Sequence, residues 1–222
     1  MEIKTNPKKE VNKLFFIIIG LTVFVAGYTM FFLNELNSGE VIFVDKTIGA
    51  LLSDIEINLV ISFFTIFTDL GSKWGVISVL VISLFIIWWR YRDYLAMGIL
   101  VIAAGGGDQL NKWLKAMVAR DRPIIDPGIF AEGYSFPSGH AMVGIMFFGF
   151  LTYYMIIKSQ STFLKKLVGW IMGIIIFLIG ISRIVLNAHY PTDVFGGFAI
   201  GLIMLLITVG IYEEVNKKLQ KK

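Results

Sequence analysis

The chain contains two histidines, His140 and His189, and each lies in a polar cluster at the edge of a long apolar run. Asp193 follows His189 by four residues around a helix start. Its carboxylate can therefore accept the proton of one ring nitrogen and leave the other to attack an electrophile. His140 closes the stretch Pro137-Ser138-Gly139-His140 and is placed to act as general acid to a leaving oxygen, then as base to a water. Lys115, Arg120 and Arg122 fall in "KAMVARDRP", and Arg183 falls in "SRIVLNAHYPTD". Arginine offers phosphate a planar two-pronged donor and lysine a point charge. Helix N-termini add unpaired N–H groups and a positive dipole end. Ser138 is positioned to cap a helix or to donate to an anion, and Gly139 to let the backbone come close. Pro191 suits a first helical turn, where its missing N–H costs nothing. Together these residues allow in-line phosphoryl transfer to a histidine, with fixed cations stabilising the equatorial oxygens and no metal or other cofactor required.

Such a constellation needs elements that bring distant stretches together, and the composition says what they are. Of 222 residues 56% are hydrophobic and 16% charged, against about 45–50% apolar and about a quarter charged in a soluble domain. The chain reads as an all-α integral membrane protein. Apolar runs recur without a Pro/Gly/Ser-rich or charged linker, so residues 1–222 are expected to form one polytopic domain. The absence of cysteine excludes disulfides, thiolate metal sites and cysteine nucleophiles. The net charge of +4 does not point to nucleic acid, because the cations follow the membrane topology instead.

A helix needs about 20 apolar residues to cross the hydrocarbon. Runs at 14–33, 74–89, 94–119, 141–157, 167–181 and 194–211 give six spans in a bundle. Lysines before the first run resemble a signal-peptide n-region, but the run is too long and lacks a small-x-small cleavage site, so it is expected to stay. The stretch 57–67 is short and interrupted by Asn58, Ser62 and Thr65, which suits an interfacial or re-entrant helix. Short amphipathic segments between the first two spans, or Phe130, Tyr134 and Phe136, are candidates for a lateral gate. With a cytoplasmic N-terminus, Lys4, Lys8, Lys9, Lys13, Arg90, Arg92, Lys158, Lys165, Lys166, Lys217, Lys218, Lys221 and Lys222 all fall inside, as the positive-inside rule requires. Both termini are then cytoplasmic, and the three polar stretches meet on the outer face of the plasma membrane.

These stretches resemble the three signature motifs of the type-2 phosphatidic acid phosphatase family of membrane lipid phosphatases. Lys115 followed by Arg122-Pro123 matches the first, Pro137-Ser138-Gly139-His140 the second, and Ser182-Arg183, His189 and Asp193 the third. The resemblance implies His189 as nucleophile, Asp193 as its partner and His140 as the acid, with Lys115, Arg122, Ser138, Gly139 and Arg183 binding phosphate. It also implies a membrane lipid phosphate as substrate. Within the family, bacterial members of this size act on undecaprenyl pyrophosphate, phosphatidylglycerol phosphate or phosphatidate, and the outward site favours undecaprenyl pyrophosphate by a small margin. Asn187 stands where family members often have glycine, and asparagine tolerates the left-handed backbone such a turn needs.

Each feature also has a plainer explanation. A lone histidine at a helix end is usually structural, the cations could snorkel, and His189 with Asp193 could be a capping pair. None of these accounts for the gathering of complementary groups on one side of the bilayer. Asp108 suits either a functional role or a packing or water-cavity role. Gly105 to Gly107, and Gly197 with Gly201, read as helix-packing positions. An anion transporter would use similar residues but place them near the midplane.

Overall fold

The computed structural model describes residues 27, 43–53, 58–123 and 133–220. Its helices are α1 (Phe43–Ser53), α2 (Asn58–Gly71), α3 (Lys73–Arg90), α4 (Tyr94–Val118), α5 (Gly139–Lys158), α6 (Thr162–Val185) and α7 (Pro191–Leu219), and there is no strand among the described residues. The expected first span, 14–33, lies outside the described residues apart from Gly27, as do Phe130 and the start of the 57–67 stretch.

Polar side chains and tight turns set the helix boundaries. Ser72 caps α3 by accepting from the Gly75 N–H, and Asp93 caps α4 through Ala96. Ser161 caps α6 through Leu164. A Cβ on Gly75 would lie 2.0 Å from the Asp69 carbonyl oxygen, so only glycine lets α3 begin directly on the end of α2. Ala119 ends α4 in a left-handed conformation at φ 50°.

Among the described residues four helices, α3, α5, α6 and α7, are long and apolar enough to cross a membrane. Helix α4 has 25 residues, but its second half carries Asp108, Asn111, Lys112 and Lys115, and it falls outside that set. Helix α2, at 14 residues, is about 21 Å long and does not reach across a hydrocarbon core of about 30 Å. Large apolar side chains stay exposed along the outer faces, including Trp74, Val81, Ile82, Phe85 and Trp89 on α3 and Trp170, Ile174 and Phe177 on α6. An apolar surface this extensive is normal against lipid and abnormal in water.

Helix α5 lies at the centre, packed by α4, α6 and α7, with Met142, Phe147, Phe150 and Tyr154 fully buried. Its contact with α7 is backbone to backbone. A Cβ on Gly197 would lie 2.7 Å from the Ser138 carbonyl oxygen, and one on Gly201 would lie 2.5 Å from that of Met142. The small-xxx-small spacing therefore works as a packing device, and it sets the start of α5 against the start of α7.

The other end of the bundle is tied by a polar knot. The Asp93 carboxylate accepts from Tyr212 Oη at 2.9 Å and from Tyr154 Oη and Lys158 Nζ at 3.2 Å. The Lys158 ammonium lies 5.1 Å from the centre of the Tyr154 ring. Arg90, Arg92 and Lys158 belong to this end, and the polar stretches of the three motifs to the opposite one.

Candidate active site

At that opposite end the C-terminus of α4, the N-terminus of α5, the C-terminus of α6 and the N-terminus of α7 converge, joined by the end of α2. A cavity of ≈ 570 Å³ opens between them, and Lys115, Arg122, Gly139, His140, Arg183 and His189 line it. Ser138 and Asp193 are fully buried just behind its wall, where the Ser138 N–H donates to the Asp193 carbonyl at 3.0 Å. All eight residues singled out in the sequence thus come together.

His189 is placed by the turn after α6. The Arg183 carbonyl accepts from the Ala188 and His189 N–H groups at 3.0 and 3.1 Å, and Asn187 takes the left-handed conformation at φ 52°. The imidazole is buried. Its Nε2 lies 3.2 Å from Arg122 Nη1, while Nδ1 faces Ser135 Oγ at 3.4 Å and Asp193 Oδ2 at 3.6 Å. A guanidinium only donates, so the nitrogen facing it carries the lone pair and the proton belongs on Nδ1. Burial pulls the pKa of His189 down to about 4 against the opposing pull of Asp193, leaving the ring neutral at pH 7.

Asp193 occupies the first turn of α7, behind Pro191 at N1, and accepts from the Tyr190 N–H at 2.9 Å. It is a capping residue as well as the partner of His189, so the plainer explanation of this pair also holds. Ser135 donates to the same carboxylate at 2.5 Å.

His140, at the start of α5, packs against Gly71, and a hydrogen bond ties its ring to the Thr68 backbone. Arg183 Nη1 donates to Thr68 Oγ1 at 2.5 Å. Ser138 occupies the N-cap position of α5, yet its hydroxyl makes no capping bond. Among the described residues, Ser138 Oγ and Arg183 Nε are the buried side-chain N and O atoms without a hydrogen-bond partner. Of the two, Arg183 lines the cavity, so an anion bound there would give its Nε an acceptor. Gly139 allows a close approach of a different kind from the one expected: a Cβ there would lie 2.9 Å from Asn111 Oδ1.

The strap 133–138 is pinned residue by residue. The Gly133 carbonyl accepts from Arg122 Nε, that of Tyr134 from Lys115 Nζ, and that of Pro137 from Asn111 Nδ2 at 3.1 Å, while the Ser135 N–H donates to the Arg120 carbonyl. Phe136 is buried against Gly196 of α7, so it is a core residue and not part of a gate. Arg120 also departs from expectation. Its guanidinium turns away from the cavity toward Asp45 and Asp193, at 2.7 and 2.5 Å. Asp108 lines the cavity and pairs with Lys112 at 2.6 Å. Asp45, Thr68, Asn111 and Ser135 are contributors that the sequence did not disclose.

A family model described as the PAP2 superfamily matches residues 93–217, more than half of the chain. The chain belongs to the PAP2 superfamily. The PAP2 match runs from Asp93 at the head of α4 to Lys217 near the end of α7, so it takes in all three motifs. Phosphatidylglycerophosphatase B of Bacillus subtilis (strain 168) is 38% identical over 128 residues, covering 56% of this chain and 62% of that protein. The bacitracin transport permease protein BcrC of Bacillus licheniformis is 33% identical over 100 residues, 38% of this chain and 43% of that protein. The chain is thus aligned with less than two thirds of the length of either relative. A crystal structure of a transmembrane PAP2-type phosphatidylglycerolphosphate phosphatase from Bacillus subtilis superposes with a TM-score of 0.77 at 28% identity, covering 89% of this chain and 96% of that one. The structure of Aquifex aeolicus LpxE gives a TM-score of 0.58 at 26% identity, covering 73% and 93%. Membership of the PAP2 superfamily and the long apolar helices make the chain a membrane protein.

Proposed function

We propose that the chain is a single-domain, six-span lipid phosphate phosphatase that works through a phosphohistidine, without a metal, on the extracytoplasmic face of the plasma membrane. One observation carries this reading: a single cavity joins phosphate-type donors to an apolar slot. From Lys115, Arg122, Arg183 and both histidines it continues between α3 and α4 along Val76, Ile77, Leu80, Val101 and Ala104. The distance from Lys115 to Val101 along α4 is about 21 Å. The polar end suits a headgroup and the slot suits the upper part of a lipid tail.

In the proposed reaction His189 Nε2 forms a bond to phosphorus as the bond to the leaving oxygen breaks, and His140 gives that oxygen its proton. Lys115, Arg122, Arg183, Ser138 and the N–H groups at the start of α5 hold the equatorial oxygens. Water then attacks the phosphohistidine with His140 as base, releasing inorganic phosphate and restoring the imidazole. The basic residues at the tied end of the bundle, Arg90, Arg92, Lys158, Lys165, Lys166, Lys217 and Lys218, support a cytoplasmic placement for that end and for both termini.

For the substrate, the names of the Bacillus subtilis relative and of the superposed structure weigh toward a glycerolipid phosphate of the phosphatidylglycerophosphate type. Undecaprenyl pyrophosphate is the second reading, supported by the presence of Lys73 on the cavity wall beside the three deeper cations, a charge suited to a second phosphate. Purified protein in detergent, supplied with either lipid in the presence of a chelator, should release inorganic phosphate. Activity should vanish in His189→Ala, and a labelled phosphoenzyme should form in the wild type. Turnover that survives His189→Ala, or that the chelator abolishes, rejects the mechanism. The ratio of kcat/KM on the two lipids decides the substrate.

A further inference from the structure

Behind the catalytic dyad lies a buried ion triad that the three motifs do not include. Arg120 is 6% exposed and Asp45 3%. Arg120 Nη1 donates to Asp193 Oδ1 at 2.5 Å and to Thr192 Oγ1 at 2.9 Å, and Nη2 donates to Asp45 Oδ2 at 2.7 Å. Its guanidinium carbon lies 4.0 Å from the centre of the Tyr190 ring. Asp45, on α1, accepts in turn from the Thr192 N–H at 2.9 Å and the Thr192 hydroxyl at 2.7 Å. One cation thus holds two carboxylates from elements far apart in sequence, and both are docked on the first turn of α7.

The arrangement has a chemical consequence. A carboxylate that faced His189 with nothing behind it would share its charge with the imidazole alone, favour the imidazolium and leave less lone pair on Nε2. Arg120 draws on Oδ1, while Oδ2 receives Ser135, the Tyr190 N–H and the side facing His189 Nδ1. The carboxylate is thereby fixed in rotation and its pull on the ring is reduced. We propose that Arg120 and Asp45 are positioning residues for phosphoryl transfer: Arg120 orients and tempers Asp193, and Asp45 makes that depend on α1 being docked against α7. The inference rests on the phosphohistidine reading above.

The charged and titratable groups around His189 are Asp193 on α7, Arg122 after α4, Arg183 on α6, Lys115 on α4 and His140 on α5, with Tyr190, Arg120 and Asp45 behind. The test reads the His189 ring directly. Only two histidines exist, so in histidine-labelled protein a His140→Gln sample assigns both imidazole signals. Arg120→Met should raise the pH at which His189 titrates by about one unit or more, because Asp193 and Asp45 lose their counter-charge. It should also lower kcat about 10- to 100-fold with KM changed less than about threefold, the loss typical of residues that orient a reacting group. Arg120→Lys keeps the charge and should return the titration to within about half a unit of wild type while restoring kcat only in part. Asp45→Asn keeps the shape and the bond from the Thr192 N–H. It should lower kcat about tenfold and leave the His189 titration at or below its wild-type position.

Removing one member of a buried triad can unfold a protein by itself, so Asp45→Asn and Arg120→Lys carry the test if Arg120→Met does not fold. A purely structural latch predicts an unmoved His189 titration in every folded variant, and that result overturns the proposal. So would a titration that moves the same way in Asp45→Asn as in Arg120→Met. Absence of phosphate release by wild-type protein would reject the functional reading alone, since the ring titration still decides the positioning.

Discussion

Gly139→Ala is the sharpest single perturbation, because helix propensity and site geometry predict opposite outcomes. Gly139 is the first residue of α5 and its backbone is not left-handed. Alanine is the better helix former by about 1 kcal/mol, so stabilisation is the expectation from local physics. The added Cβ would lie 2.9 Å from Asn111 Oδ1, whereas ordinary van der Waals contact begins near 3.4 Å, so about half an ångström must be found. Asn111 cannot give freely, since it is buried and its amide donates to the Pro137 carbonyl at 3.1 Å. The strain therefore passes into the turn that carries Ser138 and His140. A displacement of 1 Å at a reacting centre can cost about 100-fold, so half of that should lower kcat about tenfold, or about 1.4 kcal/mol of barrier. Asn111→Ala removes the obstruction at the expense of one hydrogen bond, and the double variant should be no slower than the slower single variant, a coupling of about 1 kcal/mol. Steady-state kinetics on a short-chain lipid phosphate, with thermal unfolding as a check on folding, give all four corners of the cycle. A Gly139→Ala enzyme with wild-type kcat, or a double variant whose losses simply multiply, would refute the reasoning.

The pH dependence has a definite sign. His189 is held near 4 against an ordinary value of 6.5, so the enzyme's own acid limb in kcat/KM should lie near 4, distinct from the second ionisation of a phosphate monoester near 6; a limb that follows an ordinary histidine contradicts the burial argument. Between those two pH values the unfolded chain binds more protons than the folded one. The contribution of His189 to stability is therefore complete above 6.5 and is lost as pH falls through about 4, roughly 3 kcal/mol in all. It is read from unfolding midpoints of wild type against His189→Gln across that range. At the far end, Asp93→Ala removes a helix cap and the acceptor of two buried tyrosine hydroxyls. It should cost about 3 kcal/mol of stability with KM unchanged, and a shifted KM would show that the knot reaches the site.

The eight residues picked from motif spacing do share one site, because each motif lies at a helix end and alternating helices bring those ends to the same side. The interiors of the described helices α3 to α7 were equally legible from apolar runs. Their ends were less so: the run at 194–211 belongs to a helix that continues to Leu219, since Glu213, Glu214 and the lysines carry it on without being apolar. Helix α4 shows the converse, a continuous helix whose polar second half takes it out of the apolar set. The contributors missed share a cause. Asp45 meets Arg120 across 75 positions, and Ser135 meets Asp193 across 58. No local period encodes such pairings. A lone carboxylate within "VIFVDKTIGALL" was the signal available for Asp45, since a charge in so apolar a segment calls for a partner. Arg120 could not be separated from Arg122 by residue type. In the structure Arg120 reaches Asp193 Oδ1 while Arg122 reaches His189 Nε2, on different sides of the dyad.

The strap at 133–138 and the start of α7 also bear on how the molecule is made. Chains are synthesised and inserted from the N-terminus, and Asp193 arrives only with α7, whose first turn is what the strap and Arg120 grip. Up to that point a growing chain has the cations proposed to hold a headgroup and lacks the carboxylate proposed to ready the imidazole. Under the proposed roles a copy made only that far binds lipid without cleaving it, and activity waits on the first turn of α7.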